Sequence, residues 1–417
     1  MTGTEQPVRT AHRIASEDEA VAVASVLAER FAREAVQRDR DRVLPAAELD
    51  ELSDAGLLAV TVPRAHGGAG ISTLGLVRIV ALLSAADPSI GQIPQNHFAG
   101  IEGLRVERGE ARKAFFYDRI LRGDRLGNAS AEPGDLAPTE HRTRIRRDGD
   151  RYRLDGRKVY STGALFAHWV PVSATDADGV HHSAFVPRDA PGLTVVDDWS
   201  GFGQRTTASG TVLLDGVLVD ALHVAATRRG DPTPTSVSPV SQIYHAAVDL
   251  GIARAALDDT LVFLRTTAHA ARGSGVAHAT EDPIAVRDVG ELTVAFHAAE
   301  ALLERAARAV DRARATDDPD DAAGAHVAVA EAKILTTTVA LDTSNRLFEL
   351  AGTQSTLQVH GLDRHWRNAR THTLHDGVRW KYHAVGNYEL NGLLADQWTL
   401  GHPYTPWPPR GRTGDAR

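Results

Sequence analysis

The sequence predicts a mainly α-helical α+β protein in which one β segment separates two helical ones. A helical apolar period runs through about the first 125 residues, short alternating strands fill the next hundred or so, and long amphipathic helices follow. At 417 residues the chain is long enough for two or three domains and a large core. The expected boundaries are 1–125, 126–228 and 229–417.

The first helix is announced by SEDE, where Ser16 and Glu19 match a capping box, and by Val23, Leu27 and Phe31 at every fourth position. A second helical pattern follows Leu44-Pro45, and VPRAHGGAG interrupts the chain at Pro63, Gly67, Gly68 and Gly70. Further helical stretches run to about residue 125.

From about 126, RIRRDGDRYRLDGRKVY alternates in character around the turn Asp148-Gly149, and WVPVSA, SAFVP and TVLLDGVLV read as short strands. No helical period interrupts them before about 228, which disfavours βαβ units and a dinucleotide-binding sheet. GDPTPTSVSPVS reads as a linker. Beyond it Val286, Val289, Leu292, Phe296, Leu303 and Val310 mark one face of a helix over 284–315. Acidic DDPDDAAG is expected to separate that helix from another over about 325–350.

A net charge of -8 and a pI of about 6.2 argue against nucleic acid or an anionic membrane as partner. There is no cysteine, so thiolate chemistry is excluded and a metal would need histidine and carboxylate ligands. No apolar leader and no run of 18 apolar residues is present, so a cytoplasmic location is expected.

The densest chemistry is RNARTHTLHD, residues 367–376. On a helix or tight turn His372, His375 and Asp376 stand at i, i+3 and i+4 and share a face. Imidazole, with an ordinary pKa of about 6.5, exchanges protons near neutrality, whereas a carboxylate near 4 is already ionised. The pattern suits proton transfer and equally a metal, so spacing leaves both open. Arg364, Arg367 and Arg370, at every third position, read as salt-bridge partners that pin the segment.

GNASAEPGD, RKVYSTGALFAHWVPVSA, GQIPQNHFAG, LDRHWRNARTHTLHD and VRWKYHAVGNYELNG together resemble the acyl-CoA dehydrogenase superfamily. More closely they resemble its flavin-dependent monooxygenase branch, which includes dibenzothiophene monooxygenases and sulfur-acquisition oxidoreductases. The likeness spans about 14–392, and His375-Asp376 stands where dehydrogenases of the family carry a tyrosine-glutamate pair.

The resemblance implies an N-terminal helical domain, a central β-barrel or sandwich and a C-terminal four-helix bundle, assembled as a homotetramer or at least a dimer. It implies a two-component system in which a separate NAD(P)H:flavin reductase supplies reduced FMN. O2 then oxygenates a small, soft, organosulfur substrate through a C4a-(hydro)peroxyflavin, with no metal.

It further implies roles for single residues. His375, with His372 and Ser161, would manage protons, and Asp376 would orient an imidazole. Asn128, Ser130, Tyr160, Ser161, Thr162, Trp199 and Arg265 would hold the flavin, with Arg205, Thr207 and Ser209 as polar contacts from the Trp199 loop. His97 would face the substrate. By residue type alone Asn128 and Ser130 also suit local caps, and His97 a structural role.

Thr267, His269 and Gln354 stand where relatives carry phosphate-binding arginines, leaving Arg265 and Arg272 to compensate. Two alternatives follow from the same residues. One is an FAD-dependent oxidase or dehydrogenase with Asp376 as base, the other a flavin-independent relative that binds a ligand in the same cavity.

Overall fold

A computed structural model describes residues 10–134, 142–226, 235–394 and 405–406. Seven helices come first: α1 (Glu17–Ala32), α2 (Ala35–Asp41), α3 (Ala46–Asp54), α4 (Thr73–Ala86), α5 (Pro88–Gln92), α6 (Gln95–Val106) and α7 (Glu110–Leu121). Ser16 caps α1 by accepting the Glu19 N–H at 3.1 Å. The reciprocal half of the box is shifted by one residue, because the Glu19 carboxylate takes the N–H of Ala15 instead.

Seven strands follow: β1 (Arg144–Asp148), β2 (Arg151–Lys158), β3 (Trp169–Thr175), β4 (His181–Pro187), β5 (Leu193–Val196), β6 (Thr211–Asp220) and β7 (Val224–Ala226). They form one sheet in the order β5-β6-β2-β1-β3-β4-β7. All pairings are antiparallel except β1 with β3, which meet in parallel at Arg144 and Thr175. The sheet is thus two antiparallel ladders joined at a narrow seam. Ile145, Leu154 and Val217 from one ladder and Val170, Val172 and Val186 from the other share a single core, as the faces of a sandwich do.

The C-terminal part is built on α8 (Val237–Thr266), α9 (Pro283–Thr316) and α10 (Pro319–Ala351), with α11 (Asp363–His372) and α12 (Val378–Asn391) filling the remaining side against α10. Part of the expected linker, residues 230–234, lies outside the described residues, and its second half is already α8, with Pro239 buried in the first turn. α10 likewise starts earlier than the sequence suggests. Asp318 caps it by accepting the Asp320 N–H, Pro319 occupies the first helical position, and Asp320 and Asp321 suit the positive end of the helix dipole. The acidic run is therefore mostly helix, and the break is confined to Asp317, in the left-handed region, and Asp318.

α8 runs through the middle of the molecule and is buried on all sides along most of its length. Gly251 makes this approach feasible, since a Cβ there would sit 2.6 Å from the Ala81 carbonyl of α4. Among the described residues no helix is long and apolar enough to cross a membrane.

Candidate active site

α8 carries His245 and Asp249 one turn apart on one face, and α10 carries Lys333 and Thr337 in the same relation. Where the two helices meet, Asp249 Oδ2 accepts from Lys333 Nζ at 2.5 Å and from Thr337 Oγ1 at 2.9 Å. Its other oxygen accepts from His372 Nδ1, at the end of α11, at 2.5 Å. His372 Nε2 lies 3.0 Å from His245 Nδ1. The His245 ring in turn stacks on His375, with centroids 4.1 Å apart and planes 27° from parallel. The side chains of Lys333, Asp249 and His372 are all fully buried.

Burial alone would raise the Asp249 pKa, but the Lys333 ammonium and the His372 hydrogen bond outweigh it and hold the carboxyl at about 2. Burial pushes His372 down, and Asp249 offsets only part of that. His245 falls further, from burial and then from repulsion by His375, His372 and Lys333. His375 is crowded by protein and repelled by His372 and Lys333, which lowers its pKa to about 4. The residue as a whole is nevertheless exposed. At neutral pH Asp249 is ionised and the three imidazoles are neutral. Among the described residues no group of histidines and carboxylates is arranged to hold a metal ion.

The turn after α11 does bring His372 and His375 to one place, the first at the edge of the His245 ring and the second stacked on it. Asp376 corrects the sequence expectation. Its carboxylate binds Lys381 of α12 at 2.6 Å, and the acid that orients an imidazole is Asp249, 123 residues away in sequence. Burial would raise the Asp376 pKa, but Lys381 holds it below the ordinary value. Arg364 and Arg367 make the expected pins, to Asp259 and to Asp39 and Asp363, whereas Arg370 makes no ion pair among the described residues.

His97 is a second correction. It is 1 % exposed, and both ring nitrogens serve the backbone, with Nε2 2.6 Å from the Leu58 carbonyl and Nδ1 3.0 Å from the Leu126 N–H. No polar atom is left to meet a substrate. The ring ties α6 to the start of the β domain.

The β domain contributes a second cluster. Ser161 is fully buried, and its hydroxyl has no partner. Beside it Thr162 Oγ1 meets Ser209 Oγ at 2.7 Å, Ser209 meets Thr207 at 2.8 Å, and Thr207 donates to the Gln204 carbonyl. Trp199 Nε1 donates to the same carbonyl at 2.8 Å. The Gln204 N–H then donates to Asn368 Oδ1 of α11 at 2.6 Å, one turn before His372. Gly203 lets this loop close on α11, since a Cβ there would lie 1.9 Å from the Arg367 carbonyl. Tyr160, Gln204 and Ala208 all have positive φ, at 52°, 50° and 46°. Strained backbone of this kind persists where surrounding contacts over-determine it and concentrates at functional sites.

The other expected flavin contacts lie outside this chain of hydroxyl bonds. Asn128 makes one long 3.4 Å contact to the Tyr160 carbonyl, and Ser130 Oγ pairs with Ser173 Oγ at 3.0 Å. Tyr160 is 65 % exposed, and its ring meets that of Trp199 edge-on at 6.3 Å. Trp199, Arg42, Asp197 and Arg205 line an open recess of about 410 Å³. Arg265 is not brought to this site. It lies exposed 16 residues beyond Asp249 on α8, which at 1.5 Å per residue is about 24 Å along the axis.

Sequence reasoning overlooked His245, Asp249, Lys333 and Gln204. The signal was present for the first three: YHAAVDLG and AEAKILTTT each set an ionisable side chain inside an apolar helical run, where only a buried partner makes it tolerable.

The chain matches family profiles described as acyl-CoA dehydrogenase N-terminal domain over residues 17–124, middle domain over 129–217 and C-terminal domain over 243–380. It is 33 % identical to a dibenzothiophene monooxygenase of Rhodococcus erythropolis, covering 91 % of this chain and 95 % of that protein. To the probable FMNH2-dependent monooxygenase SfnC of Pseudomonas putida it is 32 % identical, over 89 % and 95 % of the two chains. Among solved structures, FMN-bound TdsC from Paenibacillus sp. A11-2 superposes with a TM-score of 0.86 at 30 % identity, covering 91 % of this chain and 98 % of that one. Methanesulfinate monooxygenase MsuC from Pseudomonas fluorescens gives 0.82 at 31 % identity, over 90 % and 98 %. Three domain profiles in their proper order and relatives at this identity over nine-tenths of the chain make it a member of the acyl-CoA dehydrogenase family, in the flavin-dependent monooxygenase branch.

Proposed function

We propose that the protein is a two-component monooxygenase that takes reduced FMN from a separate NAD(P)H:flavin reductase and transfers one oxygen atom of O2 to a small organosulfur compound. Four relatives over most of the chain are monooxygenases by name or title, three of them named for a sulfur compound, while one is called FMNH2-dependent and one was solved with FMN bound. The observation that carries the reading to this chain is the hydrogen-bonded path Thr162–Ser209–Thr207–Gln204–Asn368, which fastens the segment after β2 that bears Ser161 to the helix bearing His372.

The residues present fit the ring end of a flavin. Ser161 offers a buried hydroxyl with no protein partner, and a ligand that accepts or donates there relieves its desolvation cost. Ser161, Thr162 and Tyr160 would hold the ring, with Asn128 and Ser130 at its edge and Trp199 beside it. Reduced FMN, when bound, supplies the electrons for activating O2. The protein's own part is to hold neutral imidazoles at the reaction space and to keep water out, because stray protonation there diverts O2 to hydrogen peroxide.

Asp376, already paired with Lys381, is poorly placed to serve as a carbon-proton base, which removes the support for an oxidase. Arg265 fits a different position, a flavin held by a neighbouring copy. Further support for assembly, as a homotetramer, is that α12 buries no residue and that Val262, Ile284, Val286 and Val294 stand between 55 % and 69 % exposed. A 14-residue helix with nothing buried is marginal in water and gains stability when covered.

The test is an aerobic assay with flavin reductase, NADH, FMN and ¹⁸O2 over a panel of sulfides, sulfoxides, sulfinates and sulfones. An oxygenated product carrying ¹⁸O is expected. No labelled product from any of them would sink the proposal.

A further inference from the structure

His245 is the group at the open end of the buried chain, and its state follows from the bonds behind it. Asp249 is ionised, and its two oxygens accept from Lys333, Thr337 and His372 Nδ1. A proton therefore sits on His372 Nδ1. Neutral His372 keeps only a lone pair at Nε2, so the 3.0 Å contact with His245 Nδ1 is a bond that His245 donates. Neutral His245 is left with its lone pair on Nε2. That atom makes no hydrogen bond to any described residue and is not sealed from solvent, although the residue as a whole is only 2 % exposed. The stack with His375, an exposed residue, sets the ring directly behind the surface of the cluster.

We propose that His245 is a catalytic residue of the site, exchanging protons at Nε2 beside His375, and that Lys333, Asp249 and His372 are positioning residues that fix its tautomer. The inference rests on the monooxygenase reading. In that reaction substrate, O2 and reduced FMN give oxygenated substrate, oxidised FMN and water, so a proton must reach the oxygen that leaves as water. Nε2 accepts one of the protons that reduced FMN gives up and returns it to that oxygen, with no net change in the protein. Charge does not linger on the ring, because burial and the neighbouring His375, His372 and Lys333 all oppose it. His372, with both nitrogens committed, is unable to take this role itself. With the opposite tautomer Nε2 would already carry a proton and have no lone pair to receive another.

Two measurements test this on the full-length protein. The first is ¹⁵N-histidine NMR, with the His245 signals identified among the 19 histidines by their loss in His245→Gln. Nδ1-protonated tautomers are expected for both His245 and His372, the latter with a far-downfield proton. In Asp249→Asn/Lys333→Met, which removes both charges together so that neither is buried alone, His245 becomes a mixture of tautomers. The second is oxygenated product formed per NADH consumed. His245→Gln should lower it about a hundredfold and the double variant at least tenfold, with FMN affinity within about twofold of wild type in both.

His245 found protonated at Nε2, or His245→Gln with unchanged coupling, overturns the proposal. If FMN affinity falls in step with coupling, the residues are structural and the proposal fails as well. Should the double variant not fold, the wild-type tautomers and His245→Gln decide alone. Should wild type form no oxygenated product, the monooxygenase reading fails by that result, and the tautomer measurement still judges the chain of bonds.

Discussion

Lys333 Nζ and Asp249 Oδ2 lie 2.5 Å apart between α10 and α8, and neither side chain touches solvent. Such a pair contributes little net stability when intact, but removing one partner strands a charge in the interior. Lys333→Met alone is therefore expected to destabilise the protein by about 3–5 kcal/mol, and Asp249→Asn added to it should recover most of that loss. Urea midpoints for the two single variants and the double one check this, and a double variant no more stable than Lys333→Met would contradict it.

Stability should fall with acid earlier than carboxylates dictate, through His97. Its folded pKa is about 4 against an ordinary 6.5, chiefly from burial. Between those values the unfolded chain binds a proton that the folded one refuses, so stability rises with pH across this window and is lost as pH falls through it. At about 1.4 kcal/mol per unit, the effect is on the order of 3 kcal/mol. His97→Gln should reduce the pH slope of the urea midpoint between pH 6.5 and 4, leaving the share contributed by the other histidines of lowered pKa such as His365 and His375, and an unchanged slope would show that His97 is not among the groups.

His375→Ala is expected to leave folding intact, since the residue is exposed. Product should drop by about a hundredfold to ten-thousandfold while NADH consumption continues and hydrogen peroxide accumulates. Asp376→Asn should do less, because its partner is Lys381. A severe Asp376→Asn defect beside a mild His375→Ala one reverses the assignment in favour of an oxidase.

Ser161→Ala separates a flavin contact from a structural hydroxyl. The side chain is buried with no partner, so without flavin the variant should match or exceed wild-type stability by about 1 kcal/mol. FMN affinity, followed by fluorescence quenching, should weaken about tenfold, the equivalent of one lost hydrogen bond. Loss of stability with unchanged FMN binding would remove Ser161 from the cofactor site.

The order of helical and β segments was legible because it depends on local period: Val23, Leu27 and Phe31 face one side of α1 whatever surrounds them, and Asp148-Gly149 turns β1 into β2 by its own backbone preference. The long runs around YSTGA and RNARTHTLHD placed the chain in its family, and spacing put His372, His375 and Asp376 on one face, of which the two imidazoles meet at His245. Their partners were beyond its reach. Asp376 is adjacent to His375 in sequence, yet the acid on His372 is Asp249, because a side chain bonds whatever the packing of α8 against α10 and α11 sets within 3 Å. His97 looked like a ligand-facing imidazole until Leu58 and Leu126 closed on both its nitrogens. Residue type and spacing fix what a side chain is able to do. The fold decides which of its atoms remain unused, and Ser161 Oγ and His245 Nε2 are among them here.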